Sequence, residues 1–153
     1  MADNLTLNLG SGGSVCAADD ISSVFYQRVK VMVGVDGVAQ EGWTPSFLLS
    51  AANTNGTVIK ASGGAVGFIF ATNLNAAVRY LKLYNSTSVT VGTTTQLAAL
   101  PIPASATGAG FMLPIPGGLR FDTGICIGLT TGVASSDTGA VAANEISILI
   151  GFI

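Results

Sequence analysis

Ile146-Ser147-Ile148-Leu149-Ile150-Gly151-Phe152 is the stretch that decides the class of fold. Successive side chains of a strand point to opposite faces, so Ile146, Ile148 and Ile150 share one side, while Leu149 and Ile153 take the other. A segment this apolar is expected to pair centrally in a sheet or to lie in an interface between subunits. Upstream of it, β-type runs separated by turn formers recur at residues 65–71, 78–85, 87–91, 96–102, 110–115, 119–121 and 125–130, with 145–152 as the last. Short strands at this spacing predict a β-sandwich or barrel. No stretch carries three turns of amphipathic helical periodicity. The Ala/Gly/Ser-rich piece from Thr131 to Ala143 reads as a surface loop or a short helical turn.

Toward the start of the chain the pattern is looser. Leu5-Thr6-Leu7-Asn8-Leu9 alternates and runs into Gly10-Ser11-Gly12-Gly13, a short strand or extended arm followed by a flexible turn. Ala17-Ala18-Asp19-Asp20-Ile21 reads as a polar loop. Residues 24–33 form a strand, with Phe25, Val29, Val31 and Val33 on one face and Tyr26, Arg28, Lys30 and Met32 on the other, ended by the turn dipeptide Asp36-Gly37. Residues 39–57 look like a connection containing Gly42, Pro45 and the turn signal Asn53-Thr54-Asn55-Gly56, with Trp43, Phe47, Leu48 and Leu49 anchoring it on something apolar. A boundary falls near Lys60. The expected division is an N-terminal arm over 1–23, a β annex and connecting region over 24–60, and a β-sandwich over 61–153. Within the last, Leu100-Pro101-Ile102-Pro103 recurs as Leu113-Pro114-Ile115-Pro116. Proline cannot donate to a ladder and belongs on sheet edges, so the echo predicts two edge strands meeting across residues 104–110.

Composition narrows the function. Only 9% of the 153 residues are charged, against about 25% in ordinary domains, and the mean hydropathy is +0.62. The surface must therefore be coated with uncharged polar groups or be buried against other subunits, since interface cores are depleted in charge. A net charge of −2 with six scattered bases, Arg28, Lys30, Lys60, Arg79, Lys82 and Arg120, argues against nucleic acid as a ligand. Met1-Ala2-Asp3-Asn4 lacks the basic, then apolar, character of a secretory signal. The long uncharged stretch of residues 83–119 is broken throughout by Thr, Gly, Ser and Pro, which is unlike a membrane helix. An outer-membrane barrel is disfavoured by the same lack of an export signal. Cys16 and Cys126 have no metal-ligand spacing and read as small buried hydrophobes, with a disulfide between them left open.

Catalytic signatures are missing. There is no histidine, which removes Ser-His-Asp and Cys-His systems and the commonest metal ligand. Of the carboxylates Asp3, Asp19, Asp20, Asp36, Glu41, Asp122, Asp137 and Glu145, only Asp19 and Asp20 are adjacent, and neighbours in a strand or loop diverge; Asp36 and Asp122 read as turn residues. The glycine-rich pieces at residues 10–13 and 62–64 lack the Lys-Ser/Thr ending of a phosphate loop. No catalytic, cofactor-binding or metal-binding residue is therefore assigned, and no cofactor is expected. Trp43, Phe25, Tyr26, Phe68, Phe70, Tyr80 and Tyr84 are either a sugar-stacking platform or, more simply, core.

Ala76-Ala77-Val78-Arg79-Tyr80-Leu81-Lys82-Leu83-Tyr84-Asn85, with Val91-Gly92-Thr93, Pro101-Ile102-Pro103, Gly117-Gly118-Leu119-Arg120-Phe121, Thr123-Gly124-Ile125 and Asp137-Thr138-Gly139-Ala140-Val141-Ala142-Ala143-Asn144, resembles a recurring pattern in small virion structural proteins of tailed bacteriophages and prophages. Ala18-Asp19-Asp20-Ile21, Tyr26-Gln27-Arg28-Val29-Lys30 and Gly34-Val35-Asp36-Gly37 resemble another module common in such proteins, although Ser22-Ser23 and Phe25 stand where glycines and a smaller residue are expected. The resemblance implies a jelly-roll-like β domain on the virion, most often on the head as a decoration or cement protein. It implies a homotrimer whose partners are the major capsid protein or other virion proteins. On that reading the arm reaches to capsid neighbours and the downstream domain trimerises. The alternative expectation is a tail-tip or fibre domain that binds host glycans.

Overall fold

Strand alternation builds both parts of the molecule. The structure, a computed structural model, describes residues 42–153 together with the strand segments 3–6, 15–21 and 24–27. The chain divides into two compact units, Met1–Gln40 and Glu41–Ile153. In the first unit β1 (Asp3–Thr6), β2 (Val15–Ile21) and β3 (Val24–Gln27) form an antiparallel sheet in that order. Of the two readings for the opening segment, the short strand is the one found, with Leu5 opposite Cys16. One expectation changes here. The supposed polar loop at Ala17–Ile21 is strand, with Asp19 opposite Tyr26 and Asp20 opposite Phe25. Its two aspartates disguise a strand that sequence pattern alone reads as loop. The expected continuation of β3 to Val33 and the Asp36-Gly37 turn lie outside the described residues.

The second unit holds eight strands: β4 (Thr44–Leu49), β5 (Thr57–Lys60), β6 (Gly64–Asn73), β7 (Arg79–Asn85), β8 (Ala98–Ile102), β9 (Ala109–Phe121), β10 (Ile125–Thr130) and β11 (Ile146–Phe152). They form two antiparallel four-stranded sheets, β5-β10-β7-β8 and β4-β11-β6-β9. The protein is all-β, a sandwich with no helix among the described residues. Its pairing is nested: β4 with β11, β5 with β10, β6 with β9 and β7 with β8. Two further pairs, β6 with β11 and β7 with β10, complete the sheets. That connectivity is one long hairpin of eight strands wrapped over on itself.

One core lies between the sheets. Ile125, Ile127 and Leu129 of β10 and Leu81 and Leu83 of β7 meet Ile69 and Ala71 of β6 and Ile146, Ile148 and Ile150 of β11. Each buried Ile or Leu contributes roughly 1.5–3 kcal/mol relative to exposure. The expectation for residues 145–152 is met in its first form, because β11 is central between β4 and β6.

Several boundaries differ from the sequence reading. The boundary expected at Lys60 falls at Gln40, since β4 and β5 are integral to the sandwich; residues 39–57 are not merely a connection. β4 goes unrecognised because Pro45 opens it, and proline is tolerated there because β4 is an edge strand. Residues 87–91 are not a strand. The runs 110–115 and 119–121 are one strand, β9, irregular opposite the Val66–Phe68 step of β6 and carrying positive φ at Gly117 and Gly118. The two proline-marked strands are both edges, as expected, but β8 and β9 edge opposite sheets and do not pair.

Candidate functional site

The two outer faces of the sandwich differ sharply. On the sheet β5-β10-β7-β8 the outward positions of the two central strands, β10 and β7, are largely covered by the chain's own loops, while Val58 and Pro101 on the edge strands stay exposed. Lys82 of β7, between the core residues Leu81 and Leu83, is fully buried and donates through Nζ to the carbonyls of Ala134 (2.6 Å) and Asp137 (3.2 Å). Burial pushes its ammonium below the usual lysine range, and Asp137 pulls it partly back. Asp137 in turn accepts from the backbone N–H groups of Gly132 and Gly139, which holds the loop 131–140 in shape. Tyr84, two residues on, is also fully buried, and its hydroxyl has no hydrogen-bond partner among the described residues. Burial raises its phenol above the usual range. Cys126, opposite Tyr84, is a buried free thiol that donates to the carbonyl of Ser86, and burial pushes it up, away from reactive thiolate character. Val91 covers Gly128, where any Cβ would fall 2.7 Å from the valine methyl. Residues 87–91 therefore cover this sheet instead of extending it.

The outer face of β4-β11-β6-β9 has no such cover among the described residues. Register defines its surface as three rows of four. One row is Phe47–Leu149–Phe70–Met112, crossing all four strands. A second is Pro45–Gly151–Phe68–Pro114, and the third is Leu49–Ser147–Thr72–Gly110. None of the twelve positions carries a charge. The only two polar side chains among them, Thr72 and Ser147, hydrogen-bond to each other. Phe68 lies over Gly151, where a Cβ would fall 2.0 Å from its ring, so the glycine makes room for the aromatic. Trp43 lies over Gly67 in the same manner. Phe47 is 66% exposed and Met112 69%, at opposite edges of the sheet. Large side chains this exposed and this contiguous mark an interaction surface more often than an inert one.

Among the described residues the ionisable groups do not assemble into a polar site. Glu145 pairs with Arg79 and accepts from the Ala142 N–H at 2.7 Å, deep in the structure. Asp122 pairs with Arg120 at 2.7 Å on the exposed surface. Arg79 and Lys82, read from the sequence as a solvated basic pair, are instead half-buried and fully buried. Among the described residues no three His, Cys, Asp or Glu side chains group as a metal site. No helix there is long and apolar enough to cross a membrane. Of the aromatic candidates, Trp43, Phe68 and Phe70 come together on the open face, whereas Tyr80 and Tyr84 belong to the other sheet. The side chains of Phe25 and Tyr26 lie outside the described residues. Sequence reasoning noticed Trp43, Phe47 and Leu49 as anchors. It did not join them to Phe70 and Met112, because only strand register puts them in one surface.

No protein-family model, no curated protein and no solved structure matches the chain.

Proposed function

We propose that the protein is a non-enzymatic structural subunit of a phage virion, a capsid decoration or cement protein that works as a homo-oligomer on the head surface. The observation that carries this reading is the uncharged Phe47–Leu149–Phe70–Met112 row, left open among the described residues on a sandwich whose other face is covered over its central strands by its own loops. A surface of this kind associates and does no chemistry. The nested strand pairing supports the jelly-roll reading of the domain. The sequence resemblance to small virion proteins supplies the setting, and with it the major capsid protein as partner and the trimer as the expected oligomer. In this proposal residues 41–153 self-associate and residues 1–40 reach to capsid neighbours.

Attachment is the test. Whole protein is mixed with heads of the encoding phage made without it, pelleted, and compared with a truncation to residues 41–153. The whole chain is expected to sediment with heads and the truncation to stay behind while keeping its oligomeric mass. Failure of the whole chain to bind heads contradicts the virion role. Full attachment by the truncation contradicts the division of labour.

The exposed aromatics Trp43, Phe47 and Phe70 on one face favour a second reading, a tail-tip or fibre domain that stacks on host glycans. Sugar recognition also needs hydrogen-bonding groups beside the rings, and the twelve-position face offers only the mutually bonded Thr72 and Ser147. A glycan array decides it: binding that is lost in Trp43→Ala supports the glycan reading, and no binding by the wild type removes it.

A further inference from the structure

The proposed self-association leaves open which surface makes the contact, and the edges and faces of the sandwich narrow the choice. Strand addition at an edge needs free N–H groups in a row. The two edge strands of the sheet β4-β11-β6-β9 carry Pro45 on one side and Pro114 and Pro116 on the other. Of the other sheet's edges, β8 carries Pro101 and β5 is only four residues long. Edge pairing is thus discouraged by proline at three of the four edges. The centre of the outer face of β5-β10-β7-β8 is occupied by the loops that bury Lys82, Tyr84 and Gly128. Among the described residues, that leaves the outer face of β4-β11-β6-β9 as the most contiguous exposed apolar surface.

We infer that the outer face of β4-β11-β6-β9 is the contact between copies of this chain, made by the side chains of that face and not by strand addition at an edge; this rests on the self-assembly in the proposed function. Area supports it. Phe47, Leu49, Phe70, Met112, Trp43 and Leu74 are 66, 49, 42, 69, 37 and 55% exposed. At roughly 200 Å² for a large apolar side chain they present on the order of 600 Å², a large part of the roughly 800 Å² per partner of a stable interface. Charge supports a second copy as the occupant. The three rows hold no ionic group, so copies meet there without placing like charges together, and the rows offer no charge by which to select a partner of opposite sign; Arg120, toward the end of β9, lies beyond them. The row from Phe47 to Met112 puts its two most exposed side chains at opposite ends, so each neighbour covers a large apolar group at either edge of the sheet.

The experiment compares the mass of full-length variants by light scattering behind a sizing column. Phe47→Asp and Met112→Asp place a charge in the face; Leu97→Asp and Val133→Asp place one at exposed apolar positions in the loops near the other sheet. Phe47→Ser and Met112→Ser repeat the comparison with milder changes, and the thermal midpoint of each variant verifies folding. The expected result is an oligomer for the wild type and both loop variants, and a fall to the 15.3 kDa chain mass for the face variants. The oligomer of the wild type should also persist at high salt, since the contact is apolar. Face variants that fold and keep the wild-type mass overturn the assignment while leaving self-assembly intact. A wild type that itself runs at 15.3 kDa also overturns it, and attachment to heads then decides the virion role independently.

Discussion

At the scale of single residues, the sandwich relies on a few buried polar groups whose roles are structural. Ser50 is one: its hydroxyl donates to the Ala142 carbonyl and accepts from the N–H groups of Glu145 and Ile146, tying the end of β4 to the start of β11. Asn55, at positive φ, ties its own turn through the backbone of Ala51 and Asn53, and the Asn-Gly signal announces that turn in the sequence. Lys82 and Tyr84 were not legible in the same way, because a strand of alternating apolar and polar residues normally leaves its polar side to water. The loops that bury that side come from distant sequence. Tyr84 gives a sharp prediction. Its hydroxyl is buried without a partner among the described residues, so Tyr84→Phe should be neutral or stabilising by about 1 kcal/mol at pH 7. The fold keeps the phenol and the Cys126 thiol protonated where the unfolded chain ionises them. Their contributions are complete below the unfolded values and are lost as pH rises above about 8.5 for the thiol and about 10 for the phenol. Lys82 acts with the opposite sign: its lowered value makes stability rise with pH toward about 10.4. Urea unfolding of the wild type and Tyr84→Phe between pH 7 and 11 isolates the phenol. The variant should lose less stability above pH 10 than the wild type, and equal losses would contradict the buried phenol.

At the scale of elements, β11 shows both what a sequence states and what it withholds. The alternation of Ile146, Ile148 and Ile150 fixes the core side of the strand, and their burial follows. The other side, with Ser147, Leu149 and Gly151, says nothing by itself. It becomes a surface only when Phe47, Phe70 and Met112 are placed beside Leu149 by pairing. β4 was hidden by Pro45, β2 by its aspartates, and β9 looked like two strands because Gly117 and Gly118 interrupt it. In each case a local signal was read correctly for its residue type and outweighed by pairing partners far away in sequence. The two sides of β11 should therefore respond differently to substitution. Ile148→Ala removes core volume and should cost about 2–5 kcal/mol of unfolding free energy. Leu149→Ser should cost the single chain much less while weakening the oligomer. Urea unfolding paired with mass measurements checks both, and a Leu149→Ser protein with full oligomeric affinity would count against the face.

At the scale of the whole molecule, the low charge that stood out in the composition acquires a location. In the second unit, Lys82, Arg79 and Glu145 are spent inside the fold, and the twelve positions of the broad sheet face carry no charge, Arg120 lying beyond them on β9. A free monomer would hold that apolar face in water, a liability that closed association removes. Assembly is thus the common consequence of composition, register and loop placement, and the virion role proposed here depends on it. The most direct test is the mass of the purified wild-type protein in solution, measured by light scattering over a range of concentrations. The account predicts a stable, closed oligomer, with a trimer expected for a head-surface protein. A well-behaved 15.3 kDa monomer at every concentration would contradict it.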